Sequence, residues 1–435
     1  MNKVKVIGAG LAGAEAAYYL ARKGIKVELY DMKPNKYTPA HKSPNFSELV
    51  CSNSLKSNDV YGNAAGLLKQ EMRILGSVTM AAADKTAVPA GGALAVDREK
   101  FSESVTETLL AQKNVEFISE EVKDISPDEY TIIATGPLTS EPLIKKLEDF
   151  APDSLSFYDA SAPIVSFESL EEGKFFFGDR YGKGNGDHVN CPMDKEEYDR
   201  FIDELLSAEK TELHEFEKTE IFEGCMPVEI MAARGKDTLR FGPLKPVGLY
   251  DPVTGKRPYA CLQLRKENAE GTMYNLVGFQ TNLKFGEQKR VFGIIPALKN
   301  AEYLRYGVMH RNTFINSPKA LNPDYSFKNY PKVFLAGQIT GVEGYVESAA
   351  SGLAAAIYCE RKINGKEPIL APSVTVMGSL ARYITTDNKD FQPMNANFGI
   401  LPMLNGVIKD KTKKKYALAE RSLSAIKEFY KELEQ

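Results

Sequence analysis

The apolar run Val4-Lys5-Val6-Ile7 leads straight into Gly8-Ala9-Gly10-Leu11-Ala12-Gly13, and few folds accommodate that join. Gly8 permits a tight turn out of a strand, Gly10 lets the backbone approach a pyrophosphate, and Gly13 lets the following helix pack closely on the sheet. A helix is expected over Ala14 to Lys23, stopped by Gly24, with the phosphates resting on its N-terminal N–H groups. A second strand, Ile25 to Tyr30, then delivers Asp31 about twenty residues after the glycines, where a carboxylate accepts ribose hydroxyls. The glycine spacing alone also occurs in plain turns. Strand, helix, second strand and acid in register point to a bound dinucleotide, with Gly8, Ala9, Gly10, Leu11, Ala12, Gly13 and Asp31 as candidate contacts.

Two distant segments select FAD over NAD. Tyr130 to Gly136 is an apolar strand ending in Ala134-Thr135-Gly136, and Val333 to Gln338 is another, followed by Gly341-Val342-Glu343-Gly344-Tyr345 and a small-residue helix from Val346 to Glu360. A helix starting there aims its positive end at a flavin ring. Each segment alone also reads as one more βα unit. Together they add Ala134, Thr135, Gly136, Gly337, Gln338, Gly344, Tyr345 and Val346 to the cofactor candidates. The expected fold class is α/β: a Rossmann-type, glutathione-reductase-like FAD domain, discontinuous, with an inserted α+β domain. The expected division is 1–153, FAD domain, first part; 154–305, inserted substrate or RNA domain; 306–435, FAD domain, second part, with a C-terminal helix. The insert is marked by strand-like runs at Ala162 to Val165, Lys174 to Phe177, Tyr259 to Leu264 and Tyr274 to Phe279, with a helical pattern over Lys195 to Ala208. In the last helix Tyr416, Ala419, Leu423, Ile426, Tyr430 and Leu433 form one apolar stripe, expected to cover the protein's own core.

A length of 435 residues suits two or three domains. No stretch approaches twenty uninterrupted apolar residues, so a membrane span is not supported. The five cysteines are an odd number without a Cys-x-x-Cys pair, which fits a reducing cytoplasm better than disulfides or a metal site. A net charge of −3 does not advertise nucleic-acid binding, yet local basic stretches remain. These include Lys56, Lys69 and Arg73; Arg234 and Lys236; Lys256 and Arg257; Lys284, Lys289 and Arg290; and Lys409 to Lys415. Each also reads as a solvated surface. Without Trp, any base stacking would use Tyr, Phe, His or Arg.

Four segments hold candidate chemistry. Cys51, in Glu48-Leu49-Val50-Cys51-Ser52-Asn53-Ser54-Leu55-Lys56, stands among hydrogen-bond donors before a lysine, a setting for a thiolate; a buried inert thiol is the other reading. Cys225, in Glu223-Gly224-Cys225-Met226-Pro227, sits in a turn that fixes a nucleophile's angle, although Glu223 and Glu229 work against a thiolate. Pro89 to Arg98 is a Gly-rich turn ending in Asp97-Arg98, either approaching a flavin or closing on its own salt bridge. His310-Arg311 precedes the third cofactor segment, as acid-base or ligand contact or as structure. Cys191, Cys261 and Cys359 read as structural.

Over nearly its whole length the chain resembles the bacterial folate- and FAD-dependent tRNA (uracil-5-)-methyltransferases, the TrmFO family. The resemblance rests on GAGLAG, TPAH, ELVCSNSLKS, VPAGGALAVDR, IIATGPLTS, FEGCMP, FGPLKPVGL, TGKRPYA, YGVMHRNTFINSP, AGQITGVEGYVESAASG and FQPMNANFG. The larger GidA (MnmG) flavoenzymes look similar at the cofactor motifs but carry an extra C-terminal helical domain. The resemblance implies 5-methyluridine formation in the tRNA T-loop, with methylenetetrahydrofolate as carbon donor, reduced FAD as electron source, and NADPH or NADH reducing the flavin. Uracil C5 is a weak nucleophile, so a thiolate first adds at C6. The one-carbon unit joins C5, directly from folate or by way of the flavin. Loss of the C5 proton and of the thiol precedes hydride transfer to the exocyclic methylene. The family's two functional cysteines match Cys51 and Cys225, with Cys225 favoured as the C6 nucleophile and Cys51 as its partner near the flavin. Asp31 stands where members often have Glu. Arg98 is assigned to the cofactor; His310, Arg311, Arg234, Lys256, Arg257 and Lys284 to substrate or RNA. The same chemistry on ribosomal RNA, and a flavin oxidoreductase acting on a small molecule, are the competing expectations.

Overall fold

The computed structural model describes residues 3–151, 154–160, 162–182, 186–211, 226–267, 271–307, 309–387, 391–406 and 408–435, with backbone alone for 154–160 and 309–312. A six-stranded sheet runs in the order Ser326–Phe327, Tyr330–Leu335, Thr131–Ile133, Lys3–Ile7, Lys26–Asp31, Val115–Ser119. All its pairings are parallel except that of the first two strands. Ile7 lies beside both Tyr30 and Ile133, and Ile133 beside Leu335. That register brings the chain leaving three separate strands to one carboxyl edge, where doubly wound sheets bind ligands.

Small residues set how tightly this edge is packed. The helix Leu11–Arg22 lies against the long helix Tyr345–Ile363, and a Cβ added at Gly352 would come 2.1 Å from the Ala12 carbonyl oxygen. A Cβ at Gly13 would come 1.7 Å from the Gly8 carbonyl oxygen, so the first helix can leave the strand only over a glycine. Gly8 itself has φ +100°, outside the range of ordinary side chains. Both helices start earlier than the apolar pattern suggests, because Gly10 and Gly344 serve as their caps without any capping side chain.

A second, antiparallel sheet has the order Phe176–Phe177, Val189–Met193, Ala260–Lys266, Met273–Leu276, Ile164–Ser166, Tyr303–Arg305. It shares an apolar core with the helix Lys195–Ser207, including Phe201, Leu262, Phe279 and Phe292. Strands Ser154–Ala160 and Met309–Ile315 pair antiparallel where the chain passes between the sheets. The C-terminal helix Lys411–Leu433 packs as expected on the first core, but along a rotated stripe. Leu418, Ala419, Ser422, Ile426, Phe429 and Leu433 are buried, while Tyr416 and Tyr430 are exposed. Ser422 turns inward to donate to the buried Glu71 carboxylate, and Tyr416 stacks its ring on Tyr61 at 4.5 Å with its hydroxyl end toward water. Among the described residues no helix is long and apolar enough to cross a membrane.

Candidate functional site

A cleft opens at the carboxyl edge of the parallel sheet. Of the candidate cofactor residues, Gly8, Gly10, Leu11, Ala12, Asp31, Ala134, Thr135, Gly136, Gly337, Gln338 and Tyr345 line it. A Cβ added at Gly10 or Gly136 would meet nothing within 4 Å, so both glycines keep space open in the cleft. Beside that space lies the uncapped N-terminus of the Leu11–Arg22 helix, a setting for a pyrophosphate. Asp31 accepts from the backbone N–H groups of Ala9 and Lys33 at 2.8 and 2.9 Å, which orients its carboxylate and leaves each oxygen a second lone pair for a ribose hydroxyl. The residues present therefore fit FAD.

The remaining candidates in this group do other work. Ala9 spends its N–H on Asp31; Gly13 seats the helix on the turn; Gly344, at φ +122°, brings the Lys56 ammonium close to the Tyr345–Ile363 helix start; Val346 is buried in the first core. Cleft residues that the sequence reading left unassigned are Lys33, Thr38, His41 and Glu48. The His41 ring meets the Thr38 hydroxyl at 2.6 Å, and burial, with Lys33 adding to it, lowers the pKa of His41.

Cys51 lies where this cleft meets the second sheet. Its N–H and that of Ser52 donate to the Tyr345 hydroxyl at 2.7 and 3.3 Å, and the same hydroxyl stands 2.9 Å from Cys51 Sγ. A hydroxyl has two lone pairs and one proton. With both lone pairs engaged, the proton is directed to sulfur, and burial raises the Tyr345 pKa well above its ordinary value, which keeps that proton in place. Arg98 does not pair with Asp97, which instead caps the Arg98–Leu110 helix by accepting from the Lys100 N–H. It meets Glu267 at 2.7 Å and donates to the Val50 carbonyl at 3.4 Å. Burial is the largest single influence and opposes the Arg98 charge, yet Glu267, Tyr345 and Cys51 together outweigh it and hold the guanidinium above its ordinary pKa. Arg265 donates to Ser52 Oγ at 2.6 Å and Asn53 Oδ1 at 3.1 Å, while the Asn53 amide donates to the carbonyls of Lys266 and Val96. The second sheet is thus bolted to the Cys51 loop.

Beneath the same segment Lys69 is buried and donates to the carbonyls of Leu55 and Ser57, both at 2.7 Å; burial brings its pKa down to about 7. Lys56 pairs with Glu347 at 2.8 Å and Arg73 with Asp84 at 2.7 Å, so these three basic residues serve the fold. Lys284 pairs with Glu209 at 2.7 Å, whereas Arg234, Lys256 and Arg257 stand exposed. His310 and Arg311 lie in the Met309–Ile315 strand, and Cys225 lies outside the described residues. Cys191, Cys261 and Cys359 are fully buried, and burial pushes all three thiols up, Cys261 to about 12. Among the described residues no group of His, Cys, Asp and Glu is placed to hold a metal ion.

A glycine-lined cleft at the carboxyl edge of a parallel sheet, with a second sheet docked beside it, defines a Rossmann-type FAD-binding flavoprotein. The family of Glucose inhibited division protein A matches residues 3–367. The methylenetetrahydrofolate--tRNA-(uracil-5-)-methyltransferase TrmFO of Acetivibrio thermocellus is 57% identical over 431 residues, 99% of each chain. That of Anoxybacillus flavithermus is 58% identical over 433 residues, covering 99% of this chain and all of its own. The chain belongs to the TrmFO family. Among solved structures, Aquifex aeolicus GidA superposes with a TM-score of 0.73 at 17% identity, over 99% of this chain and 73% of that one, a likeness of fold.

Proposed function

We propose that this chain methylates C5 of a uridine in tRNA, in the T-loop, with methylenetetrahydrofolate as carbon donor, FAD as resident cofactor and NAD(P)H as the source of electrons, in the cytoplasm. When bound, FAD supplies the hydride that completes the methyl group. Gly10, Gly136 and the first-helix N-terminus would hold its pyrophosphate and Asp31 its ribose. Three segments are proposed from the sequence division: 1–153 and 306–435 for the cofactor, 154–305 for the substrate.

The observation that carries this reading is the Tyr345 hydroxyl, 2.9 Å from Cys51 Sγ, on a residue that lines the cofactor cleft. The thiol is thus one side chain from the cleft, which supports a role for it beside the cofactor. Arg98, Arg265 and Arg305 all interact electrostatically with Cys51, so the thiol stands in a positively charged surrounding. We assign Cys225 as the nucleophile that adds to uracil C6, and Cys51 as the group that takes the C5 proton before Cys225 is expelled. His310, Arg311, Arg234, Lys256, Arg257 and Lys284 are proposed to face substrate or RNA.

Methylation of a T-arm transcript by the FAD-loaded protein tests the scheme. Cys225→Ala is expected to abolish activity and Cys51→Ala to cost about 100-fold or more, as loss of a positioned acid-base group does, with flavin absorbance retained in both. Undiminished activity in both variants refutes the thiol chemistry.

A further inference from the structure

Tyr181 is a tyrosine held in a conformation that favours glycine. Its backbone sits at φ 59°, ψ 21°, in the left-handed region, followed by Gly182 at φ 64°. Such backbone costs free energy and persists only where its surroundings impose it. Here they do. The Tyr181 N–H donates to the Gly248 carbonyl at 2.8 Å. The preceding Arg180 donates to Gln263 Oε1 at 2.7 Å, to the Val247 carbonyl at 3.0 Å and to the Lys245 carbonyl. Gly248 in turn lies under the ring: a Cβ there would come 3.0 Å from it.

This effort buries nothing, because Tyr181 remains 62% exposed. The ring is braced on one face and open on the other. Two residues beyond Gly248 stands Tyr250, also exposed, and the turn that follows, closed by the Asp251 N–H to Lys256 carbonyl and Gly255 N–H to Asp251 carbonyl bonds, presents Lys256 and Arg257 to solvent. Exposed rings beside exposed cations suit an unpaired, stackable, polyanionic partner.

The position is as informative as the chemistry. Gln263, which anchors Arg180, is two residues from Arg265 on the Ala260–Lys266 strand, so the two side chains share a face about 7 Å apart. Arg265 is the residue bonded to Ser52 beside Cys51. Tyr181 therefore stands one anchored side chain away from the strand that docks on the reactive loop.

We infer that Tyr181 is a stacking platform for an unpaired RNA base flanking the uridine to be methylated, with Lys256 and Arg257 neutralising the adjoining phosphates; this rests on the tRNA reading above. The test is equilibrium binding of a T-arm RNA to the FAD-loaded protein across a salt series. Tyr181→Ala is expected to raise Kd about fivefold or more, the cost of one lost stacking contact, without changing the salt slope, while Tyr181→Phe and Tyr181→Trp stay within about twofold of the parent. Tyr181→Asn guards against a folding artefact, since Asn tolerates left-handed backbone: it is expected to melt at or above the parent temperature and still bind RNA weakly. Unchanged RNA affinity in Tyr181→Ala and Tyr181→Asn overturns the inference, as does equal weakening in Tyr181→Phe. A change in sedimentation with RNA affinity intact also overturns it, by making the face a contact between copies of this chain. If instead the parent protein fails to methylate tRNA, the functional reading falls first.

Discussion

Replacing Glu71 by glutamine should make the protein's heat stability at pH 8 exceed that of the parent, and the margin should shrink as pH falls to 5. Glu71, on the helix Ala64–Ile74, is fully buried and accepts from the N–H groups of Val376 and Met377 at 2.8 and 2.9 Å and from the Ser422 hydroxyl. It joins the starts and sides of three helices. Two effects compete. Burial disfavours the carboxylate, while the three donors and the N-terminal end of the Val376–Thr385 helix favour it. Burial wins, and the pKa rises from 4.5 to about 7. At 1.36 kcal/mol per unit, that difference is worth roughly 3 kcal/mol. Between pH 4.5 and 7 the folded chain binds the proton that the unfolded chain has released. Stability therefore falls as pH rises through that window, and the full cost stands above pH 7. With an unfolding entropy of about 2.1 cal/mol/K per residue, roughly 3 kcal/mol corresponds to a Tm change of about 3 °C for a chain of this length. The assay is the Tm difference between Glu71→Gln and parent, both FAD-loaded, at pH 5 and pH 8. A difference that does not move with pH, or that moves in the parent's favour at high pH, refutes the reasoning and means the donors hold Glu71 ionised throughout.

The two open and closed glycines of the first turn should separate cofactor from fold. Gly10→Val, whose side chain would enter empty cleft, is expected to yield folded protein without visible flavin absorbance; Gly13→Val, forced into the Gly8 carbonyl, is expected to cost more than about 3 kcal/mol and to accumulate insoluble. Arg265→Met removes both anchors on Ser52 and Asn53; methylation should fall at least about tenfold and urea stability by about 3 kcal/mol, with FAD retained. Removing both Lys256 and Arg257 should lower the slope of log K against log salt for RNA by about 1.4 to 1.8, and an unchanged slope would exclude them as phosphate contacts.

How much of this was legible in the sequence follows from how local each cause is. The cleft at the carboxyl edge is legible from Gly8, Gly13, Asp31 and Ala134 to Gly136 because each stands at the end of a strand with a recognisable local pattern, although Gly8 is also constrained by Ala134 and Asp31 bonds Ala9, each on another strand's turn. The C-terminal stripe keeps Ala419, Ile426 and Leu433 of the expected one, but Leu418, Ser422 and Phe429 are buried while Tyr416 and Tyr430 are exposed; Ser422 turns toward Glu71, a carboxylate over three hundred residues away that no helical period reports. Arg98 reads in the sequence as a cofactor contact, with a salt bridge in its own loop as the other reading, whereas its ion-pair partner is Glu267. Yet that last partner left a trace. Gln263 and Arg265 alternate with apolar residues along the strand Ala260–Lys266, which is buried at most of its positions, and Glu267 follows directly after its end, two residues on from Arg265. Polar side chains repeated on the buried face of a strand are costly unless partners meet them from another element. Here the partners are Arg180, Ser52 with Asn53, and Arg98, one rung each. The alternation therefore marks the seam between the two halves of the molecule. A ring-presenting loop, the thiol segment and the Arg98–Leu110 helix are fastened to successive rungs, so moving any rung shifts the base platform and Cys51 relative to one another.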